Sequence, residues 1–262
     1  MARNCIVCND NAYAAKYCVI DHYDYLRCKS CGLIYVDKVE RTENLYRSYS
    51  GGSFKSFRRR VLAPIRRFSH TRHFEESMGR GRQIFEFASS HGNDENGQRW
   101  FLDIGCNKGF LLAAGIERGW NVYGVEIVPE LTMPFKNTYH RFRDQVFVGR
   151  FADCRGNFEP DTFSLITAID VIEHLEDVIE DLKGVYEILR PGGTFVIQTP
   201  DTACERAAAS GCDWGALKPL EHLHLFNSAN LATLAHRVGF IDVQHFSPFE
   251  EADGNFTAVL KK

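Results

Sequence analysis

Residues 100–130 constrain the fold of this chain more than any other stretch. Trp100-Phe-Leu-Asp-Ile-Gly-Cys-Asn-Lys-Gly109 is an apolar run that ends in a carboxylate and a glycine loop. A helical segment follows, and Asn121-Val-Tyr-Gly-Val-Glu-Ile-Val-Pro-Glu130 is a second apolar run that ends in another carboxylate. Strand, glycine loop, helix and strand in that order spell a nucleotide-binding βαβ unit. The loop reads Asp103-x-Gly105-x-x-x-Gly109, with Asn107 between the glycines. A dinucleotide fingerprint, G-x-G-x-x-G, needs bare backbone there so that pyrophosphate can sit on the helix N-terminus. Asp103, at the mouth of the first strand, would repel a phosphate and suits an ammonium or sulfonium group. Glu126 would end the second strand and accept hydrogen bonds from both hydroxyls of a ribose. The ligand so outlined has a ribose, a positive charge and no phosphate.

That outline fits S-adenosylmethionine, and the stretch resembles the class I S-adenosylmethionine-dependent methyltransferases. Their usual loop is D-x-G-x-G-x-G, so Asn107 is a departure, and Asn tolerates unusual backbone angles better than most residues. The resemblance implies an α/β fold: a doubly wound, seven-stranded, mainly parallel Rossmann-like sheet. It also implies S-adenosylmethionine contacts at Asp103, Gly105, Cys106, Asn107, Gly109, Glu126 and Ile127.

The chain has 262 residues, 44% of them hydrophobic, which is ample for one α/β core and a small appendage. No run of ~18 apolar residues occurs, so no membrane span is expected. Met1-Ala-Arg-Asn-Cys5 has no apolar leader region, which points to a cytoplasmic protein. Nine cysteines without an export signal point to reduced thiols and metal, not disulfides. Cys5-x-x-Cys8 and Cys28-x-x-Cys31-Gly32 are two knuckles whose four thiolates match a closed tetrahedral structural zinc site, a ribbon over residues 1–40. Cys18 lies between the pairs and reads as a spare.

Residues 41–98 read as a basic helical connector. Tyr46 and Tyr49 are candidate substrate contacts, and Lys55, Arg58, Arg59, Arg60, Arg66, Arg67 and Arg72 follow in a stretch, 55–73, without an acid. Such a run is either a surface for RNA or a phosphate-bearing substrate, or a solvated helix face over an acidic core. Residues 91–97 read as a loop before the core domain, 99–262.

In that domain a crossover helix runs from Phe110 to Arg118 with Gly119 at its end, and a second starts at Pro129 and runs toward His140. Strands are expected at 145–148, 162–169 and 194–200, with Asp170 opening a long helix to about Leu189 that Arg190-Pro-Gly-Gly193 stops. Phe151 and Asp153 stand where class I methyltransferases contact adenine. Ala168 and Asp170, in a block that resembles the superfamily's D-V-x-E-H … L-x-P-G-G portion, stand where relatives hold the methionyl part. Residues 201–226 leave the carboxyl edge of the sheet and should overhang the methyl donor. A helix capped at Asn227-Ser228 and two antiparallel strands close the chain.

Three histidines compete for the chemistry. Glu221-His222 resembles the pair in sugar C-methyltransferases, which also begin with a four-cysteine ribbon; on that resemblance His222 is the base and Glu221 its orienting partner. Ubiquinone-type and small-RNA O-methyltransferases offer the alternative. There Asp170, Glu173 and His174 on one helix face, with His222 or His224, would surround a second, divalent metal that binds the acceptor. The resemblances imply methyl transfer to an oxygen or carbon of a small molecule such as a sugar nucleotide or biosynthetic intermediate. The other readings are an rRNA or tRNA methyltransferase, and a non-catalytic S-adenosylmethionine-binding scaffold. The oligomeric state is not legible.

Overall fold

A computed structural model describes residues 4–9, 14–38, 72–91, 99–245 and 254–262. Tyr46, Tyr49, the cations from Lys55 to Arg67 and residues 92–97 lie outside the described residues.

The chain forms two sheets. In the N-terminal sheet, β1 (Ala14–Ile20), β2 (Tyr23–Cys28) and β3 (Ile34–Val36) run antiparallel. Helix α1 (Arg72–His91) follows, ending at the residue from which a loop was expected. Its buried Phe74, Met78, Ile84, Phe85 and Ala88 repeat at helical spacing and pack on Phe101, Phe110 and Trp120 of the core domain.

The core domain alternates strand and helix. β4 (Trp100–Ile104), α2 (Phe110–Glu117), β5 (Asn121–Glu126), α3 (Pro129–Thr138), β6 (Val146–Val148) and β7 (Phe163–Ile169) fall close to their expected ranges, and a four-residue helix, α4 (Phe151–Cys154), stands between β6 and β7. The remainder is α5 (Val178–Ile188), β8 (Leu189–Pro200), α6 (Glu205–Ser210), β9 (His224–Leu225), α7 (Ser228–Val238), β10 (Asp242–His245) and β11 (Asn255–Lys261). The main sheet has the order β10-β11-β8-β7-β4-β5-β6; β4 through β8 are parallel, while β10 and β11 form the antiparallel edge. This is the doubly wound, seven-stranded sheet expected. Unbroken burial of Phe163–Ala168 in β7 and Thr194–Pro200 in β8, polar residues included, suits strands covered on both faces. Among the described residues no helix is long and apolar enough to cross a membrane.

Three expectations are corrected. The helix after β7 starts at Val178, not at Asp170. Asp170 has φ 54, outside the helical range, a single 3₁₀ turn covers Ile172–His174, and Asp177 caps α5 by accepting from Glu180 N at 3.3 Å. Asp170, Glu173 and His174 therefore share no α-helical face. Next, Cys18 is not a spare: it is joined to Cys212 in a disulfide, so the cysteines are not all reduced thiols. Last, the 201–226 connection does more than overhang. Its β9 pairs with β3, Ile34 opposite Leu225 and Tyr35 opposite His224, and becomes the fourth strand of the N-terminal sheet.

Candidate functional site

A cavity of about 790 Å³ lies at the carboxyl ends of β4, β5 and β7, where open α/β sheets bind ligands. Of the residues read from the sequence as cofactor contacts, Asp103, Gly105, Cys106, Asn107, Glu126, Ile127, Phe151 and Asp170 line it. Gly109, Asp153 and Ala168 do not. Gly109 starts α2 with φ 72, and a Cβ there would stand 2.6 Å from the Phe135 ring. Ala168 is buried within β7, and Asp153 forms an exposed ion pair with Arg150 at 2.8 Å.

The glycine loop is shaped by conformation as well as space. Gly105 has φ 73, and a Cβ there would lie 2.5 Å from Val171 Cγ2. Asn107 has φ 49, a left-handed angle that Asn adopts more readily than most side chains, so its substitution for glycine leaves the turn intact. Its backbone N–H donates to Glu126 Oε2 at 2.8 Å, and Val128 N donates to Oε1 at 2.9 Å. These two bonds fix the Glu126 carboxylate at the end of β5.

Asp103 is buried and accepts from Thr167 Oγ1 at 2.6 Å. Burial, with the Glu126 charge adding to it, pushes its carboxyl up to about 7. Helix α1 brings Ser77, Arg80 and Ile84 to the same cavity. Asp170, which burial pushes up, has the Arg80 charge acting against that and accepts from Asn255 Nδ2 at 3.1 Å. Arg80, Ser77 and Thr167 were not read as site residues; the helical repeat from Phe74 to Ala88 was the available signal that α1 packs on the core.

At one side of the cavity the carboxylate of Glu173 and the rings of His174 and His222 converge, their potential ligand atoms all within 4.8 Å of one another. That is within about half an ångström of the widest separation, roughly 4.2 Å, available to two ligands each 2.1 Å from one ion. Glu173 is buried, accepts from Thr199 Oγ1 at 2.9 Å and stands 4.0 Å from His174 Nε2. Burial, reinforced by the Asp170 charge, pushes its carboxyl up to about 8. A buried acid in that state fits the arrival of a cation.

Both rings are oriented through Nδ1: His174 donates to the Glu221 carbonyl at 2.7 Å and His222 to the Ala216 carbonyl at 2.8 Å. A carbonyl accepts only from a protonated nitrogen, so each Nε2 carries the lone pair. Burial lowers the pKa of both rings, that of His222 to about 4. His174 lines the cavity, whereas His222 stands behind it, the two ring centroids 4.8 Å apart. Glu221 does not orient His222 through its carboxylate, as was expected; that group lies 3.6 Å from Lys218 Nζ. Asp170 and His224 are outside the cluster, His224 being buried in β9.

The four thiols of Cys5, Cys8, Cys28 and Cys31 converge, with Cys5 and Cys31 sulfurs 3.4 Å apart and those of Cys8 and Cys28 3.5 Å apart. The adjacent Cys31 thiol pulls Cys5 down to about 5, and thiolate character is what a zinc ligand needs.

The family described as "methyltransferase domain" matches residues 54–245. The chain belongs to the methyltransferase-domain family. Curated relatives match this methyltransferase domain over a shorter stretch. The mitochondrial ubiquinone biosynthesis O-methyltransferase of Schizosaccharomyces pombe is 32% identical over 102 residues, 37% of this chain and 36% of that protein. The ubiquinone biosynthesis O-methyltransferase of Xanthomonas campestris is 27% identical over 101 residues, 37% of this chain and 41% of that one. The matched stretch is thus about two-fifths of the relatives' length. Among solved structures, a SAM-dependent methyltransferase from Archaeoglobus fulgidus superposes with TM-score 0.54 and 16% identity, covering 70% of this chain and 92% of that one. One from Mesorhizobium loti gives TM-score 0.51 and 20% identity, covering 69% and 98%. These likenesses establish the methyltransferase fold.

Proposed function

We propose that this methyltransferase domain transfers a methyl group from S-adenosylmethionine to a hydroxyl oxygen of a small molecule, with Glu173, His174 and His222 forming the acceptor end of the site. The observation that carries this reading is the convergence of those three side chains beside the cofactor cavity. S-adenosylmethionine supplies a methyl on a sulfonium sulfur, open to in-line displacement when the acceptor atom stands about 3–3.5 Å away.

The protein's residues divide the remaining work. Glu126 is held so that its carboxylate can take the ribose hydroxyls. Asp103 faces the positive part of the ligand, and the Arg80 guanidinium suits the methionyl carboxylate. Phe151, buried at the start of α4, supplies an apolar wall for the adenine. A divalent cation held by Glu173, His174 and His222 would lower the pKa of acceptor hydroxyls that it touched. Without it, the Nε2 lone pairs of the same two rings are able to accept the hydroxyl proton, so His222 as base is the second reading. The O-methylation that names the ubiquinone biosynthesis relatives agrees with an oxygen acceptor. A structural zinc in the four-cysteine knuckle completes the reading. The RNA alternative rests on residues 55–67, outside the described residues.

Replacing Glu173 by Gln and His174 by Ala, one at a time, tests this. Each change is expected to abolish methyl transfer to a catechol or vicinal-diol acceptor while S-adenosylmethionine affinity stays within about twofold. Full turnover by Glu173→Gln would eliminate the metal reading. Full turnover by both would remove the cluster from the acceptor site.

A further inference from the structure

The segment from Ala216 to Leu223 holds the acceptor cluster together by its backbone. The Ala216 carbonyl orients His222, the Glu221 carbonyl orients His174, and Leu223 N donates to the Glu173 carbonyl at 2.7 Å. That segment is in turn held from outside the core domain. Tyr25, fully buried in β2, donates its hydroxyl to the His222 carbonyl at 2.9 Å, and Val36 N, at the end of β3, donates to the Leu223 carbonyl at 3.1 Å. Immediately beyond, β9 joins β3. Tyr25 also packs with Ile34, Trp214 and Leu217 in one apolar cluster, so both walls of the contact are fixed.

The second half of the N-terminal sheet's environment is the cysteine knuckle. Cys28 ends β2, Asn230 Nδ2 of α7 donates to the Cys31 carbonyl at 3.3 Å, and Arg237 of α7 bonds the carbonyls of Ile6 and Val7. The knuckle, the strand that carries Tyr25 and the segment that orients both histidines therefore form one connected unit.

We infer that Tyr25 is a positioning residue of the acceptor site: its hydroxyl, carried on the four-cysteine sheet, holds the His222 backbone and so sets the spacing of Glu173, His174 and His222. The N-terminal sheet then completes the site geometrically and not merely as an appendage. The Tyr25 phenol bonds the backbone of a cluster residue from that sheet directly. Phenylalanine would preserve the packing and remove the bond, leaving a buried carbonyl without its donor.

The inference rests on the acceptor cluster proposed above, and the test separates the two. Zinc-loaded full chain is titrated with Mn²⁺ by electron paramagnetic resonance, with S-adenosylmethionine affinity and zinc content measured alongside. Tyr25→Phe is expected to weaken Mn²⁺ about tenfold, the scale of loss when a group orienting a metal ligand is removed, while zinc content and S-adenosylmethionine affinity stay unchanged. Ile34→Ala loosens the same apolar cluster without touching the bond, and is expected to keep wild-type Mn²⁺ affinity. His222→Ala is expected to lose Mn²⁺ binding. Wild-type affinity in Tyr25→Phe, with His222→Ala impaired, would overturn the positioning role and leave the cluster intact. Equal losses in Tyr25→Phe and Ile34→Ala would overturn it as a general effect of sheet stability. Unchanged binding in His222→Ala would overturn the cluster reading, and the inference with it.

Discussion

At the residue scale two acids of the cofactor cavity, Asp103 and Glu126, divide by environment. Glu126 has both carboxylate oxygens on backbone N–H groups, whereas Asp103 has the Thr167 hydroxyl and is otherwise enclosed. Glu126→Ala is expected to weaken S-adenosylmethionine binding by about 1–3 kcal/mol, because two ribose hydroxyls lose a charged acceptor; isothermal titration reads this directly, and unchanged affinity would remove Glu126 from the site. Asp103 gives a pH signature. Its carboxyl is raised to about 7 in the folded protein, so its contribution to stability is fully present below the ordinary carboxylate pKa and is lost as pH rises through about 7. The loss is on the order of 1 kcal/mol per pH unit across that window. Asp103→Asn, which stays neutral, is expected to match the ligand-free wild type near pH 4 and to exceed it in stability at pH 8 in urea denaturation. A constant difference between the two proteins at all pH values would show that Asp103 is not raised. Both acids were legible in the sequence because each closes an apolar run. Thr167, which bonds Asp103, and Arg80, whose charge acts on Asp170, were not, since they arrive from other elements.

At the element scale the legible features were those with a local cause. Gly119 adopts φ 73 just past α2, Pro129 opens α3, and Asn227 and Asn230 form a reciprocal capping box at the start of α7. Asn227→Ala is expected to cost about 1 kcal/mol, measured as a lower urea midpoint, with S-adenosylmethionine affinity unchanged. The start of α5 was misread because Asp170-Val-Ile-Glu-His174 has helical composition. The decisive signal lay further on, where Asp177 stands three residues before Glu180 in a capping pattern. The consequence reaches the site. With Asp170 held at φ 54 and a 3₁₀ turn after it, Glu173 and His174 meet His222 without Asp170, which lines the cavity instead.

At the scale of the whole molecule the N-terminal sheet and the methyltransferase domain are joined by long-range contacts that no local pattern announces. A two-residue strand, His224–Leu225, pairs with β3 about 190 positions earlier in the chain, and the Cys18–Cys212 disulfide spans 194 residues. Neither β9 nor Cys212 carries a sequence signature, and the expectation of an overhang confined to the core domain was reasonable and incomplete. The cysteine spacing, by contrast, announced the convergence of Cys5, Cys8, Cys28 and Cys31. Elemental analysis of purified protein is expected to find one tightly held zinc per chain, and its absence, with the fold intact, would contradict the structural role given to the knuckle. The account as a whole stands on methyl transfer to oxygen at the Glu173–His174–His222 end of the cavity. The most direct test incubates the chain with S-adenosylmethionine carrying a radiolabelled methyl group and a panel of catechols, vicinal diols and RNA, with and without added Mg²⁺. The account predicts an O-methylated small molecule whose formation requires the cation. Labelled RNA, or tight binding of intact S-adenosylmethionine with no product from any acceptor, would contradict it.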